Sequence, residues 1–351
     1  MASERAPRRR SLVYVVLASA VVMGATGAGT AYVKAQAHAD VGRVSSSAAA
    51  PVRTEASEEA SVEPVADPTV EPDTLLAEAM RPVTAAAEDG AEVSVAVLDV
   101  RSGDSAAYGD GTFDTASIVK VDILATLLLR AQDENRSLTA QEKTYATSMI
   151  ELSDNASASA LWTAIGEAEG LAAANKRFGL TDTEGGAGML WGLTQTTAAD
   201  QLALLQQVFA ANGEASQLNE ASRTYLRGLM GSIAEDQDWG VSAAAGPSSA
   251  GRRFALKNGW LPRTATGLWD INSIGRLTTA DGREFLVAVV SNGNTTKAKG
   301  VSLVEAAARA AVSVFDSTDD TDTNMAAATA TATSTSTTAA DATKSVTADG
   351  S

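Results

Sequence analysis

Phe113-Asp114-Thr115-Ala116-Ser117-Ile118-Val119-Lys120, running directly into the apolar residues 121–129, is the stretch on which the reading of this chain turns. A helix places residues three apart on one face, so the Ser117 hydroxyl and the Lys120 amine can share one small site. Asp114 or Thr115 is expected to cap that helix. Ser117 then falls in its first turn, where free N–H groups and the helix dipole favour developing negative charge. A serine and a lysine at this spacing also arise by chance, as a first-turn residue and a surface cation. The neighbours of Lys120 argue otherwise: Ile118, Val119, Val121, Ile123, Leu124, Leu127 and Leu128 make the segment apolar on nearly every face, as in a buried helix. A buried lysine calls for a partner or a function. If the chain is an enzyme, Ser117 is the expected nucleophile and Lys120 the group that activates it.

Two counts narrow the chemistry. The 351 residues include no cysteine, which removes disulfides, thiolate metal sites and cysteine nucleophiles. The single histidine is His38, close to the N-terminus, so the body of the chain has no imidazole for a Ser/His/Asp triad or a histidine-bound zinc. Hydrolytic chemistry must then rest on carboxylates or on a serine activated by lysine. Neither a metal nor an organic cofactor is expected. The net charge of −16 leaves about −9 on residues 74–315, and no basic stripe is present, so a nucleic-acid partner is not expected.

The composition divides the chain into four parts. Residues 1–39 carry an arginine cluster followed by an uncharged run, 11–33, and then Ala37-His38-Ala39. This reads as an export signal with a small-x-small cleavage site, or as an uncleaved membrane anchor, and it points to a secreted or extracytoplasmic protein. Residues 40–73 read as a disordered acidic linker and 316–351 as a disordered low-complexity tail. Residues 74–315 are the expected globular domain, taken to be a monomer.

Within that domain the patterns predict a helix at 73–89, a strand at 91–100 with Val93, Val95 and Val97 on one face, and a short strand at 106–108. The buried helix follows. Thr139-Ala140-Gln141-Glu142 is a capping box, and its helix ends at Ser153-Asp154-Asn155, where Asp154 or Asn155 starts another. On its own that turn reads as a helix cap. Residues 179–197 form a glycine-rich loop, a kind of segment that is often functional. Further helices are expected from Thr197 and at 222–234, strands at 253–261, 268–277 and 284–290, a hairpin at Asp281-Gly282, and a closing helix at 301–315. If the strands join one antiparallel sheet, the terminal helices cover one face and the helical block the other, with a cleft where the parts meet. Trp191 and Trp260 fall in segments expected to rim it.

Three features occur in order: Ser117-x-x-Lys120, Ser153-Asp154-Asn155 and Lys257-Asn258-Gly259. Together they resemble the signature of class A β-lactamases and penicillin-binding proteins, over about residues 74–315. The resemblance implies an α/β (α+β) fold with a five-stranded antiparallel sheet, flanking terminal helices and an inserted helical subdomain. It implies that Ser117 forms an acyl-enzyme with a β-lactam or a D-alanyl peptide of the cell wall, and that Lys120 accepts the serine proton. Ser153 would relay a proton to the leaving nitrogen, and Lys257 would support that relay and attract a substrate carboxylate. Asn155, Asn258, Gly259 and Trp260 would be the substrate-binding residues, with the N–H groups of Ser117 and Trp260 forming the oxyanion hole.

The chain departs from that pattern in three places. Only 36 residues separate Ser117 from Ser153, shorter than a class A β-lactamase leads one to expect. Asn258 stands where a hydroxyl residue normally meets a penicillin carboxylate; Arg263 and Asn272 are the possible substitutes. No Glu-x-x-Leu-Asn stretch lies between Asn155 and Thr197, and Glu184, the nearest acid, reads as a solvated loop residue. Acylation at Ser117 is therefore better supported than hydrolysis of the adduct. The alternative is a non-catalytic cell-envelope protein that keeps the fold for binding.

Overall fold

A computed structural model describes residues 70–211, 213–247 and 252–315. The leader, most of the acidic linker and the C-terminal tail lie outside the described residues, and with them the signal or anchor at 11–33. Among the described residues no helix is long and apolar enough to cross a membrane.

The elements run α1 (Pro72–Ala86), β1 (Glu92–Asp99), β2 (Ser105–Tyr108), β3 (Phe113–Asp114), a 3-10 turn (Ala116–Ile118), α2 (Val119–Asp133), α3 (Ala140–Glu151), α4 (Asn155–Ile165) and α5 (Glu167–Phe178). They continue with a 3-10 turn (Trp191–Leu193), β4 (Gln195–Thr196), α6 (Ala198–Phe209), α7 (Glu220–Gly231), β5 (Phe254–Pro262), β6 (Trp269–Thr278), β7 (Glu284–Asn294) and α8 (Lys297–Ser313). Five strands form one antiparallel sheet in the order β2-β1-β7-β6-β5, as the sequence patterns lead one to expect. The β3–β4 pair forms a separate two-stranded ribbon, too short for any sequence pattern to mark.

Alternation along the strands assigns the faces. Val95 and Val97 of β1 and Phe285, Val287 and Val289 of β7 pack against Leu76 and Met80 of α1 and Leu303, Val304 and Ala307 of α8. Their neighbours Ala96, Leu286, Ala288 and Val290 join the core of the helical layer. Within that layer α2 is central, with twelve of its fifteen residues buried. Each large aliphatic side chain buried there contributes about 1.5–3 kcal/mol, which is what holds Lys120 and Asp122 out of water.

Three local expectations are revised. Gly166, at φ +93°, ends α4, and α5 starts at the next residue, so the segment before Gly179 holds a helix that the sequence reading does not separate. The helix expected around Ser117 begins only at Val119. Ser117 sits instead in the preceding 3-10 turn, because Ala116 takes a left-handed φ of +48° that an α-helix does not accommodate. Neither Asp114 nor Thr115 caps through its side chain: Asp114 is bound by Gln195 and Arg263, and Thr115 Oγ1 is buried without a partner.

Candidate active site

The site lies where β5, the 3-10 turn carrying Ser117 and the α3–α4 turn meet. The Thr139–Glu142 capping box forms as expected, starting α3, and Asp154 caps α4 by accepting from Ser157 N at 2.6 Å. Between those helices Ser153 adopts φ +57°, an uncommon conformation for a residue with a side chain and one that tends to cluster at functional sites. It turns both its carbonyl and its hydroxyl toward Lys120. Lys120 Nζ donates to Ser153 O at 2.7 Å, Ser153 Oγ at 3.1 Å and Asn155 Oδ1 at 2.8 Å. Lys257 Nζ approaches the same hydroxyl from β5, donating to Ser153 Oγ at 3.1 Å, Asn258 O at 3.1 Å and Gln237 Oε1 at 3.3 Å.

Both amines are fully buried. Burial pushes the Lys120 amine down to about 7, opposed only by the charge of Asp154, and the N-terminal end of α4 beside it also disfavours a cation. Lys257 is held well below the ordinary lysine range, first by burial and then by the charge of Lys120. Near neutral pH the pair can therefore take up and return a proton.

The sequence motifs lead one to expect Lys120, Ser153 and Lys257 to converge on Ser117 Oγ, and the structure differs. Lys120, Lys257 and Ser153 meet at Ser153 Oγ. Ser117 Oγ, on its own turn, has no hydrogen-bond partner among the described residues and is half-buried, open to the cleft. What binds Ser117 to the site is its backbone. A Cβ added to Gly259 would lie 2.7 Å from Thr115 O, 2.9 Å from Ser117 N and 3.1 Å from Ile118 N, so β5 is pressed against the turn where only glycine fits. Asn272 on β6 completes the clamp. Its amide donates to Asp114 O at 2.8 Å and Thr115 O at 3.0 Å, while its Oδ1 accepts from Ser291 N at 3.0 Å.

The register of β5 identifies its free groups. Arg263 N donates to Leu268 O and Thr278 N to Arg253 O, so odd-numbered residues of β5 bond to β6 and even-numbered ones point their N–H and C=O off the open edge. Trp260 N–H therefore points off that edge, beside the Ser117 turn. The same alternation places the side chains. Lys257 and Gly259 face the helical layer and Ser117, whereas Asn258 and Trp260 face α8.

That corrects two expectations. Asn258 is fully buried, its amide donating to Gln237 O at 2.8 Å and Trp239 O at 3.0 Å, so its side chain holds the loop behind β5 and has no surface to offer a substrate. The Trp260 indole packs on Trp239, centroids 6.0 Å apart, with Lys297 Nζ 4.1 Å from its own centroid, and does not rim the cleft. Arg263 and Asn272 are not free carboxylate binders either: Arg263 pairs with Asp114 and, at 3.8 Å, with Asp270, and Asn272 is the buried clamp. Asn155 is exposed beside Lys120. Glu184 is exposed and engaged through its backbone in a bridge to Gln195. Trp191 does reach the site, its ring centroid 5.0 Å from Lys120 Nζ. Gln237 is a participant that no sequence signal marks, lying at the end of a short 3-10 turn (Glu235–Gln237) without periodicity. Among the described residues no cluster of His, Cys, Asp or Glu could hold a metal ion.

The family model for the beta-lactamase enzyme family matches residues 139–315, half of the chain. The chain belongs to that family. No curated protein matches it. Among solved structures, penicillin-binding protein PBP-A, in a mutant form captured as an acyl-enzyme complex with penicillin G, is similar at 20% identity with a TM-score of 0.57, over 70% of this chain and 97% of that one. A representative class A beta-lactamase from Bacteroides cellulosilyticus is similar at 16% identity and TM-score 0.59, over 71% and 100%. The TLA-3 extended-spectrum beta-lactamase is similar at 16% and 0.58, over 68% and 97%. At these identities the likeness is one of fold: this member of the beta-lactamase enzyme family shares the sheet and helical layers of class A enzymes. Fold and family together support a function of the serine hydrolase type.

Proposed function

We propose that the chain is an extracytoplasmic serine hydrolase that forms an acyl-enzyme on Ser117 from a β-lactam or a D-alanyl amide and releases the acyl group slowly. The observation that carries this reading is the pair of buried amines on one hydroxyl, Lys120 and Lys257 each 3.1 Å from Ser153 Oγ, directly beside the Ser117 turn. Ser117 Oγ attacks the amide carbonyl carbon and gives its proton to neutral Lys120, after a rotation that brings the hydroxyl within reach. The oxygen that becomes negative is met by the N–H groups of Ser117 and Trp260, each worth about 3 kcal/mol in the transition state. When the C–N bond breaks, Ser153 Oγ gives the nitrogen a proton and is refilled from Lys120 or Lys257. A mutant form of PBP-A is captured as such an acyl-enzyme complex with penicillin G.

Slow release follows from the acids: Glu184 is exposed and its backbone is committed to Gln195, and no Glu-x-x-Leu-Asn stretch is present. Export through residues 1–39 is part of the proposal, with Ala37-His38-Ala39 as the cleavage site; N-terminal sequencing of the exported protein tests it. A second reading, a non-catalytic envelope protein, is favoured by one observation, that the Asn258 amide nitrogen, the Asn272 side chain and Arg263 are engaged in internal contacts. Incubating the full chain with a fluorescent penicillin and measuring intact mass separates the two. A stable adduct lost in Ser117→Ala supports the first; no adduct and no hydrolysis of esters, amides or D-Ala-D-Ala peptides supports the second.

A further inference from the structure

Lys120 is enclosed on two sides by different materials. The α3–α4 turn supplies three hydrogen-bond acceptors, and on the other side lies the indole of Trp191, half-buried, its Nε1 donating to Ser159 Oγ of α4 at 3.1 Å. The segment carrying this indole is fixed at many points. Trp162 Nε1 donates to Gly188 O at 2.7 Å, Gly186 N to Thr194 Oγ1 at 3.1 Å and Thr115 N to Thr194 O at 2.8 Å. Gly192 runs alongside Ala116, the residue before Ser117: a Cβ built on it would stand 4.0 Å from the Ala116 backbone, an ordinary contact distance. A cavity of about 440 Å3 opens between Trp191, Met189, Leu190, Leu261 and Pro262; Trp191 lines it and Lys120 does not.

We propose that Trp191 is a water shield for Lys120: it keeps the amine dry and so prevents it from delivering water to an acylated Ser117. The second half rests on the acylation reading above. Hydrolysis of the adduct requires a water oxygen to attack the acyl carbon and the C–Oγ bond to break. The proton of that water must pass to a base and then to the departing Ser117 Oγ. Lys120 is the base adjacent to Ser117, and the indole occupies the side from which water would reach it. Trp191 is thus a positioning residue: it governs what Lys120 can reach without touching the reacting atoms.

The shield and a simple cation partner make opposite predictions. An indole that mainly attracts the ammonium raises its proton affinity, so removing the ring lowers the pKa of Lys120. An indole that mainly excludes water lowers proton affinity, so removing it lets the pKa rise. The test uses the full chain with 13C-labelled lysine, the Lys120 resonance assigned from its absence in Lys120→Met and titrated by NMR, alongside the decay of the penicillin adduct by intact mass. In Trp191→Ala the Lys120 midpoint should rise by about one unit or more from its parent value near 7. The adduct should decay at least about tenfold faster, a modest share of what a general base supplies. Trp191→Phe, which keeps a ring over the amine, should stay within about threefold of the parent on both readouts and shows that any change in the alanine variant is not a folding loss. An unchanged or lowered midpoint in Trp191→Ala overturns the shield. A raised midpoint with an unchanged adduct lifetime overturns its role in deacylation. If the parent takes no label, the acylation reading fails and the second half with it, while the titration still decides whether the indole keeps the amine dry.

Discussion

Gly259→Ala tests the site through a single methyl group. The added Cβ would stand 2.7 Å from Thr115 O and 2.9 Å from Ser117 N, against ordinary carbon contacts of about 3.5 Å, so β5 and the Ser117 turn must separate by about 0.6–0.8 Å. Both contacts are to backbone, and Asn272 clamps that backbone to β6, so no flexible side chain can absorb the displacement. Oxyanion donors act at about 2.7–3.1 Å, and a shift of this size takes Ser117 N–H and Trp260 N–H out of common register. Losing one donor costs about 3 kcal/mol, or roughly a hundredfold in acylation rate at about 1.4 kcal/mol per tenfold. Overpacking should cost about 1–3 kcal/mol of stability, so the protein stays folded. The assay is the second-order rate of fluorescent-penicillin labelling, measured well below the unfolding transition. Gly267→Ala is the control: at φ +73° in the β5–β6 hairpin, with nothing within 4 Å of its would-be Cβ, it adds backbone strain without touching Ser117. Labelling by Gly259→Ala within about threefold of the parent would refute the argument that this contact sets the oxyanion geometry.

Four further outcomes are expected. The labelling rate should rise with pH through about 7 and then level, as Lys120 loses its proton, and Lys120→Met should abolish it; a flat profile from pH 5 to 9 contradicts Lys120 as the base. Ser153→Ala removes the hydroxyl shared by both amines and should slow labelling about a hundredfold or more, read in the same assay. Asp122, fully buried beside Asn175 and Thr126, has its carboxyl pushed up to about 7 by burial, so the folded state keeps a proton that the unfolded chain releases and stability is lost as pH rises from about 3.8 through 7. Asp122→Asn should therefore raise the melting temperature relative to the parent at pH 8 more than at pH 5; an equal shift at both refutes it. Asp99→Ala should cost about 1.5–3 kcal/mol in urea unfolding, because it removes the charge-assisted contact between Asp99 Oδ2 and the Nη2 of buried Arg283, 2.6 Å apart.

The fold was legible because its signals are periodic and redundant. The alternating valines of β1, the Thr139 capping box and the Asp281-Gly282 hairpin each point to one local structure, and the sheet satisfies all of them. Much of the site was legible as spacing, but which way β5 turns its side chains was not drawn from the motif. Alternation alone requires Asn258 to face opposite Lys257, yet that matters only once Ser153 is known to lie on the Lys257 side. The position of Ser117 outside α2 depends on the φ of Ala116, and alanine gives no hint of a left-handed conformation. Gln237 and the Trp191 ring reach Lys257 and Lys120 from segments remote in sequence and without periodicity, so only tertiary structure reveals them.

The acid–base arrangement itself separates the two halves of the reaction. In the proposed acylation the proton that Ser117 gives to Lys120 is returned, through Ser153, to the leaving nitrogen, so the amine pair ends as it began. Hydrolysis brings a new proton from water and offers no leaving nitrogen, so it must use Lys120 as a base a second time, with Ser117 Oγ as the final acceptor. The carboxylate that acts on Lys120 is Asp154, already committed to Ser157 N as the cap of α4. On this proposal the two buried amines around one hydroxyl are enough to make the adduct, while breaking it depends on whether water can reach Lys120. In the proposed mechanism that access lies on the side of the amine that Trp191 covers, so the lifetime of the acyl-enzyme would be decided by a ring that takes no part in forming it.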